Sequence, residues 1–195
     1  MATTSATGGY LVPAASPAPL EGQSLDQFLQ QVVVGITGLP GNLVRPRWQQ
    51  TTPNLPAKGT DWAALGITDR DPDTFAATVH TDDATGGYDT LYRHESLQVL
   101  TSFYGPNAGS YAGILSDGLQ LPQNLEVLTT NKMGLVSTGS PRQVPELIKN
   151  QWVRRFDLQV IINRQIVRAY PILTLLSADG TVVTDSGQTE TISTP

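Results

Sequence analysis

The chain has 195 residues, 39% of them hydrophobic, enough to bury a core within one domain. Its 12 Lys and Arg stand against 17 Asp and Glu, and a net charge of −5 argues against a dedicated nucleic-acid binder. There is no cysteine, so disulfides and thiolate metal sites are excluded, and no apolar run nears the roughly 18 residues of a membrane span.

The first 23 residues are rich in Ala, Thr, Ser, Gly and Pro, with Glu21 the only charged side chain. Such a segment buries too little to offset its ordering entropy, so a flexible arm is expected over residues 1–23. A second reading lets Tyr10, Leu11 and Val12 order it against a neighbouring subunit. It has no basic stretch followed by an apolar one, so no secretory signal is expected. A single domain is then expected over 24–184, and a polar tail over 185–195.

Ser24 and Gln27 have capping-box spacing and open a predicted helix. Leu25, Phe28, Leu29, Val32, Val33 and Ile36 form its apolar stripe, and Gly35, Gly38 and Pro40 stop it. Leu43 to Gln49 is extended, since Pro46 keeps Arg45 out of the helical region. Arg45 and Arg47 beside Trp48 suit either a nucleic-acid or carboxylate contact, or a tryptophan packed under two snorkelling stems. A Pro-rich connector leads to a predicted strand at Asp61–Thr68 and a second at Thr74–His80. Between them, Asp69, Asp71 and Asp73 have the odd spacing of a calcium loop. Pro72 occupies the fourth position, and Thr74 and His80 stand where that loop needs its sharp-turn glycine and its bidentate glutamate, so an acidic turn is expected. Asp82–Asp89 reads as a Gly-rich loop.

Tyr92–Tyr104 is a strong strand with Leu97, Val99, Thr101 and Phe103 on one face. His94 and Glu95 are adjacent, so they point to opposite faces and form no catalytic dyad. After Gly105–Pro106, Asn107 or Ser110 caps a helix carrying Tyr111, Ile114, Leu115 and Leu119. Gly109, Gly113 and Gly118 predict close packing there. Pro122 suits the first turn of a short helix with Leu125 and Leu128 inward, followed by an extended piece from Gly134 to Thr138.

Trp152–Ser177 dominates the pattern. Phe156, Leu158, Val160 and Ile162 alternate with Asp157, Gln159 and Asn163, the period of a strand with one face on a core. The same face then carries Arg164, Ile166 and Arg168, so it turns basic where the strand outruns a compact core; Asn163–Ala169 is expected to meet solvent or a second subunit. After Tyr170–Pro171 the run ILTLLS reads as a more buried strand, Ala178–Gly180 as a turn, and TVVT as pairing back. Arg154, Arg164 and Arg168 share a face by parity, with Arg155 opposite. A neighbour's carboxylates are their expected partners; solvated surface arginines are the alternative.

Catalytic chemistry finds no support. A serine triad would need His80 or His94, and no serine stands in a nucleophile-elbow context. Gly86–Gly87 lacks the lysine of a phosphate loop. No enzyme activity, cofactor or metal is expected.

Taken in order, the helix from Ser24, VRPRWQ, GTDWAALGI, HESLQVLTSFYGPNA, GLQLPQNLEVL and VPELIKNQWVRRFDLQVIINRQIVRAYPILTL make a co-linear pattern. It resembles the neck or tail terminator proteins of tailed bacteriophages, from Leu20 to Ser177; the Pro- and Thr-rich start lies outside it. The resemblance implies an α+β fold, a twisted mainly antiparallel sheet flanked by helices, in a homo-oligomer that forms a hexameric ring on the tail tube. Such a ring ends tube polymerisation and joins the tail to a head-completion or adaptor protein. Implied partners are the tail tube protein and, in a sheathed tail, the sheath protein. DNA would pass the lumen without specific binding, and no membrane is involved. The implied setting is the virion neck, assembled in the host bacterial cytoplasm. Arg45, Arg47, Trp48, Arg154, Arg164 and Arg168 are the candidate subunit or neck contacts. Two other readings stay open: another head–tail adaptor or completion protein, and a small hydrolase or ligand-binding domain built around a concave pocket.

Overall fold

A helix, α1 (Gly22–Thr37), buries Leu25, Leu29 and Val33, the stripe its spacing predicts. It begins earlier than the sequence suggests. Glu21 is the N-cap, its N–H donating to Ser24 Oγ at 3.2 Å while the Ser24 hydroxyl donates to the Glu21 carbonyl at 2.8 Å. The capping box is therefore Glu21 with Ser24, not Ser24 with Gln27. At the other end Gly38 takes a left-handed conformation (φ 71°) that glycine adopts without Cβ strain, and its N–H closes on the Val34 carbonyl at 2.9 Å. This computed structural model describes residues 10–49, 54–83, 86–148, 150–172, 178–183, 185, 187 and 189–194.

After a short 3-10 turn come β1 (Val44–Pro46), β2 (Trp62–Pro72), β3 (Ala77–Asp83) and β4 (Gly86–Tyr104). Two helices follow, α2 (Ala108–Gly118) and α3 (Pro122–Thr130), then β5 (Met133–Thr138), β6 (Arg142–Gln143), β7 (Glu146–Ile148), β8 (Gln151–Val153) and β9 (Arg155–Ile172). β10 (Ala178–Val183) and β11 (Thr189–Thr194) complete the described strands. The main sheet runs β1-β2-β4-β9-β5, with β3 on β4 and β6 on β9. β1 lies parallel to β2; β2 and β3 pair with β4, and β5 and β6 with β9, in antiparallel register. This is the expected α+β class, a mainly antiparallel sheet with three helices.

Several local expectations are corrected. The acidic turn is strand: Asp69–Pro72 continue β2 and pair with Glu95–Gln98 of β4 after a bulge between Ile67 and Asp69. The bulge admits one extra residue, Thr68, whose hydroxyl donates to the Gln98 carbonyl at 3.2 Å. The Asp82–Asp89 loop is mostly hairpin, with pairing kept as far as Asp83 and Gly86. Ala178–Gly180, expected as a turn, is the first half of β10, and its partner β11 lies in the polar stretch after Asp185. Residues 1–9 of the expected arm, and 173–177 of the expected buried strand, lie outside the described residues.

The chain divides into two compact units. One holds residues 20–75 and 93–166 and contains all the described helices. Its core gathers α1, α2 and α3 against one sheet face, with Leu65, Leu97, Phe103 and Leu158 fully buried. The glycines of α2 serve that packing as expected. A Cβ at Gly118 would collide with Ile36 of α1, and one at Gly109 would come within 3.1 Å of the Phe156 ring. Gly105 (φ 112°) is pressed against Thr60 and Asp61, and the Asp61 carboxylate accepts from the Asn107 N–H at 2.8 Å, capping α2. The other unit holds 10–19, 76–92 and 167–194 as far as described. It comprises the β3–β4 hairpin, the β10–β11 hairpin and the end of β9, where the Ala169 carbonyl accepts from the Ala14 N–H at 2.7 Å.

Candidate functional site

Strand alternation gives the larger unit two unlike sheet faces. Odd residues of β4 and even residues of β9 enter the core; the others form a helix-free face. Side-chain pairs link the two strands in opposite order, Ser102 with Asp157, Gln98 with Gln159, and His94 with Gln165, as antiparallel neighbours require.

On the helix-free face, Arg155 reaches forward along its own strand to grip Asp157 with two prongs, Nε to Oδ1 at 2.7 Å and Nη2 to Oδ2 at 2.8 Å. Its Nη1 donates to Glu146 at 3.0 Å. The bond to Asp157 raises the guanidinium pKa above its already high value, so Arg155 is a fixed cation. It lies 5.7 Å from the centroid of Tyr104, which stacks on Trp62 at 4.2 Å and 7°. Burial pushes the Tyr104 phenol up, keeping it neutral. Asp157 also accepts from the Ser102 hydroxyl, which in turn accepts from Arg47 Nη2. The carboxylates and cations here neutralise one another, which makes a rigid polar floor rather than a reactive group.

Arg47 is thus tied down within its own chain. Arg45 donates to the carbonyls of Asn42 at 3.0 Å and Asn54 at 2.6 Å, so neither arginine meets a carboxylate. Trp48 is not packed beneath their stems: at φ 55° it swings out to 72% exposure, with its ring over Gly66, where a Cβ would stand 2.7 Å from it. Arg154 is exposed and donates to the Pro106 carbonyl at 3.1 Å. Beside it opens a groove of about 980 Å³, bounded by Leu55–Thr60, Trp62, Pro106 and Gln151–Arg154.

Arg164 corrects the expectation most sharply. Its parity is that of the core, and it is 3% exposed. Its carboxylates come from its own chain: Nε pairs with Glu95, itself 8% exposed, and Nη2 with Glu21 at 2.9 Å, while Nη1 caps the Leu20 carbonyl. Arg70 holds Glu21 from β2 at 2.9 Å. Burial pushes the Glu21 carboxyl up, but Arg70 and Arg164 together outweigh it and hold it below the usual range. Arg168, by contrast, belongs to the smaller unit. Parity could have flagged Arg155 with Asp157, two apart on one strand. Lys58 and Trp152, far apart in sequence, gave no shared signal.

Neither histidine has a catalytic setting. His94 points outward at 64% side-chain exposure while Glu95 points in. His80 lies between Asp89 at 2.8 Å and Asp82 at 2.9 Å, with its pKa raised chiefly by the hydrogen bond to Asp89. Among the described residues no cluster of three or more His, Asp or Glu could hold a metal ion, and no helix is long and apolar enough to cross a membrane.

A search of curated proteins finds no match to the chain. A family model described as phage neck terminator protein matches residues 23–186, a span that takes in all but the first three residues of the helix-bearing unit. The chain therefore belongs to the phage neck terminator protein family, a structural, non-enzymatic family of the virion neck.

Proposed function

We propose that copies of this protein close into a ring, hexameric by the family resemblance, at the head-proximal end of the tail tube. The ring ends tube polymerisation and presents the joint for a head-completion or adaptor protein. The observation that carries this reading is the pair of tryptophans left outside the core of the larger unit, Trp48 at 72% and Trp152 at 73% exposure. Tryptophans exposed to that degree on a folded domain are what an interface covers. Arg45, Arg47, Trp48 and Arg154 are the contact residues in this reading, with Arg168 contributing from the smaller unit. A chain of net charge −5 suits a passage through which DNA slides without a phosphate grip.

The test pairs native mass spectrometry of the purified protein with electron microscopy of particles lacking it. Rings of one stoichiometry, and tails of uncontrolled length that fail to join heads, are the expected results. A protein that stays monomeric with and without tail tubes, and whose loss leaves tails of normal length, would sink the proposal. His80→Ala and His94→Ala particles remain infectious in this reading, since no chemistry depends on either ring.

A further inference from the structure

We infer that the groove beside Trp62 is the socket for a second copy of this chain, and that its plug is the acidic far end of the neighbour's β2. The inference rests on the ring reading above and names the surfaces that close it.

The groove combines an apolar wall with charge of one sign. Trp62, Trp152 and Pro106 line it, and its two charged lining residues are Lys58 and Arg154, with no carboxylate among them. Trp152 is 73% exposed, an aromatic anchor that its own chain leaves largely uncovered. A carboxylate-bearing, extended segment fits this chemistry, because Arg binds carboxylates with two prongs and Lys as a point charge.

Such a segment lies at the other end of the strand that starts in the groove. β1 covers the edge of β2 only along Ala63–Leu65; beyond it Thr68–Pro72 are exposed residue by residue. Asp69 and Asp71 share the helix-free face there, opposite Gln98 and Ser96. Asp69 accepts only from the neutral Gln98 amide at 3.3 Å, and Asp71 has no ion-pair partner among the described residues. The cation between them, Arg70, is already engaged by Glu21.

Plug and socket cannot meet within one molecule. Trp62 and Asp71 are nine residues apart on one strand, about 30 Å at the usual rise. A patch at one end and its complement at the other is a head-to-tail arrangement, and head-to-tail contacts that close make rings.

The experiment is reciprocal charge reversal, read by sedimentation velocity and native mass spectrometry, with circular dichroism as a check on folding. One variant carries Lys58→Glu and Arg154→Glu; the other carries Asp69→Lys and Asp71→Lys. Each alone loses self-association by at least about 100-fold, since like charges then face each other. Mixed in equal amounts they assemble again, because every contact in an alternating ring is once more between opposite charges. Misfolded variants would not be rescued by mixing. Wild-type rings with both variants assembling like wild type, or variants that fail and stay separate when mixed, overturn this inference and leave the ring standing. A monomeric wild type overturns both. A single-stranded oligonucleotide is the other occupant to probe. Binding by wild type that is lost in the Lys58/Arg154 variant, with self-association unchanged, would give the groove to nucleic acid instead.

Discussion

The two compact units are built on different terms. Every buried apolar side chain among the described residues falls in 20–75 or 93–166, and none in 10–19, 76–92 or 167–194. In the larger unit, side chains such as Leu65, Phe103 and Leu158 lose all contact with water, each worth about 1.5–3 kcal/mol. In the smaller, β3 is exposed at every residue from Ala77 to Asp82, so its described support is the ladder to β4. A ladder open to water on both faces has little to resist local opening. The lesson is that the same long strand, β4, is stable for two different reasons along its length: by packing after Arg93 and by pairing before it.

The comparison breaks most visibly at the core. Phe103→Ala should cost about 3–5 kcal/mol, against under about 0.5 kcal/mol for Val79→Ala on β3, measured by denaturant unfolding. Arg164→Ala belongs with the first despite its charge. It strands Glu95 at 8% exposure and should cost about 3–5 kcal/mol, part of which Arg164→Ala with Glu95→Gln recovers. A full-sized loss for Val79→Ala would show that the smaller unit has a core of its own.

Glycines sharpen the contrast within one helix. Gly113→Ala meets nothing within 4 Å and should stabilise α2 by up to about 1 kcal/mol. Gly118→Ala drives a methyl into the β-branched Ile36 and should destabilise by about 1–3 kcal/mol despite the same gain in helix propensity. Equal effects at the two positions would mean that α1 and α2 are not closely packed.

Much of this was legible and some was not, for physical reasons. The stripe of α1, the alternation of β4 and β9, and Pro122 opening α3 are short-range patterns that burial respects. Asp69–Pro72 looked like a turn because charge and proline are poor strand formers; Glu95–Gln98 of β4 beside them needed pairing, and the Thr68 bulge supplied the register. Arg164 had the parity of the core, but its partner Glu95 is 69 residues away, so its charge argued for the surface. The groove joins 54–60 to 151–154, which no local pattern connects.

The smallest effects are electrostatic and of opposite sign in pH. Glu21 is held below the usual range, so its contribution is complete above the ordinary glutamate value and is lost as pH falls through the lower, folded one. Glu21→Gln should flatten the acid limb of the stability curve. His80 is raised chiefly by its bond to Asp89, so its contribution is complete below the ordinary imidazole value and fades as pH rises through the folded one. Titration of the His80 ring by NMR should give a lower midpoint in Asp89→Asn; no change would remove Asp89 as the cause.

The Arg164–Glu95 pair has one more consequence, for how β9 finds its place during folding. A one-residue slip of β9 along β4 would turn its apolar residues outward and is expensive. A two-residue slip is the dangerous error, because Leu158, Val160, Ile162 and Ile166 would still point inward and the ladder would still be complete. Only a feature that occurs once along the strand can tell the two alignments apart. Arg164 is that feature: displaced by two positions it would face Leu97 or Arg93 in place of Glu95, a buried charge against an apolar or like-charged neighbour. The pair that looks like a cost in a hydrophobic core is thus the mark by which two long strands recognise a single alignment.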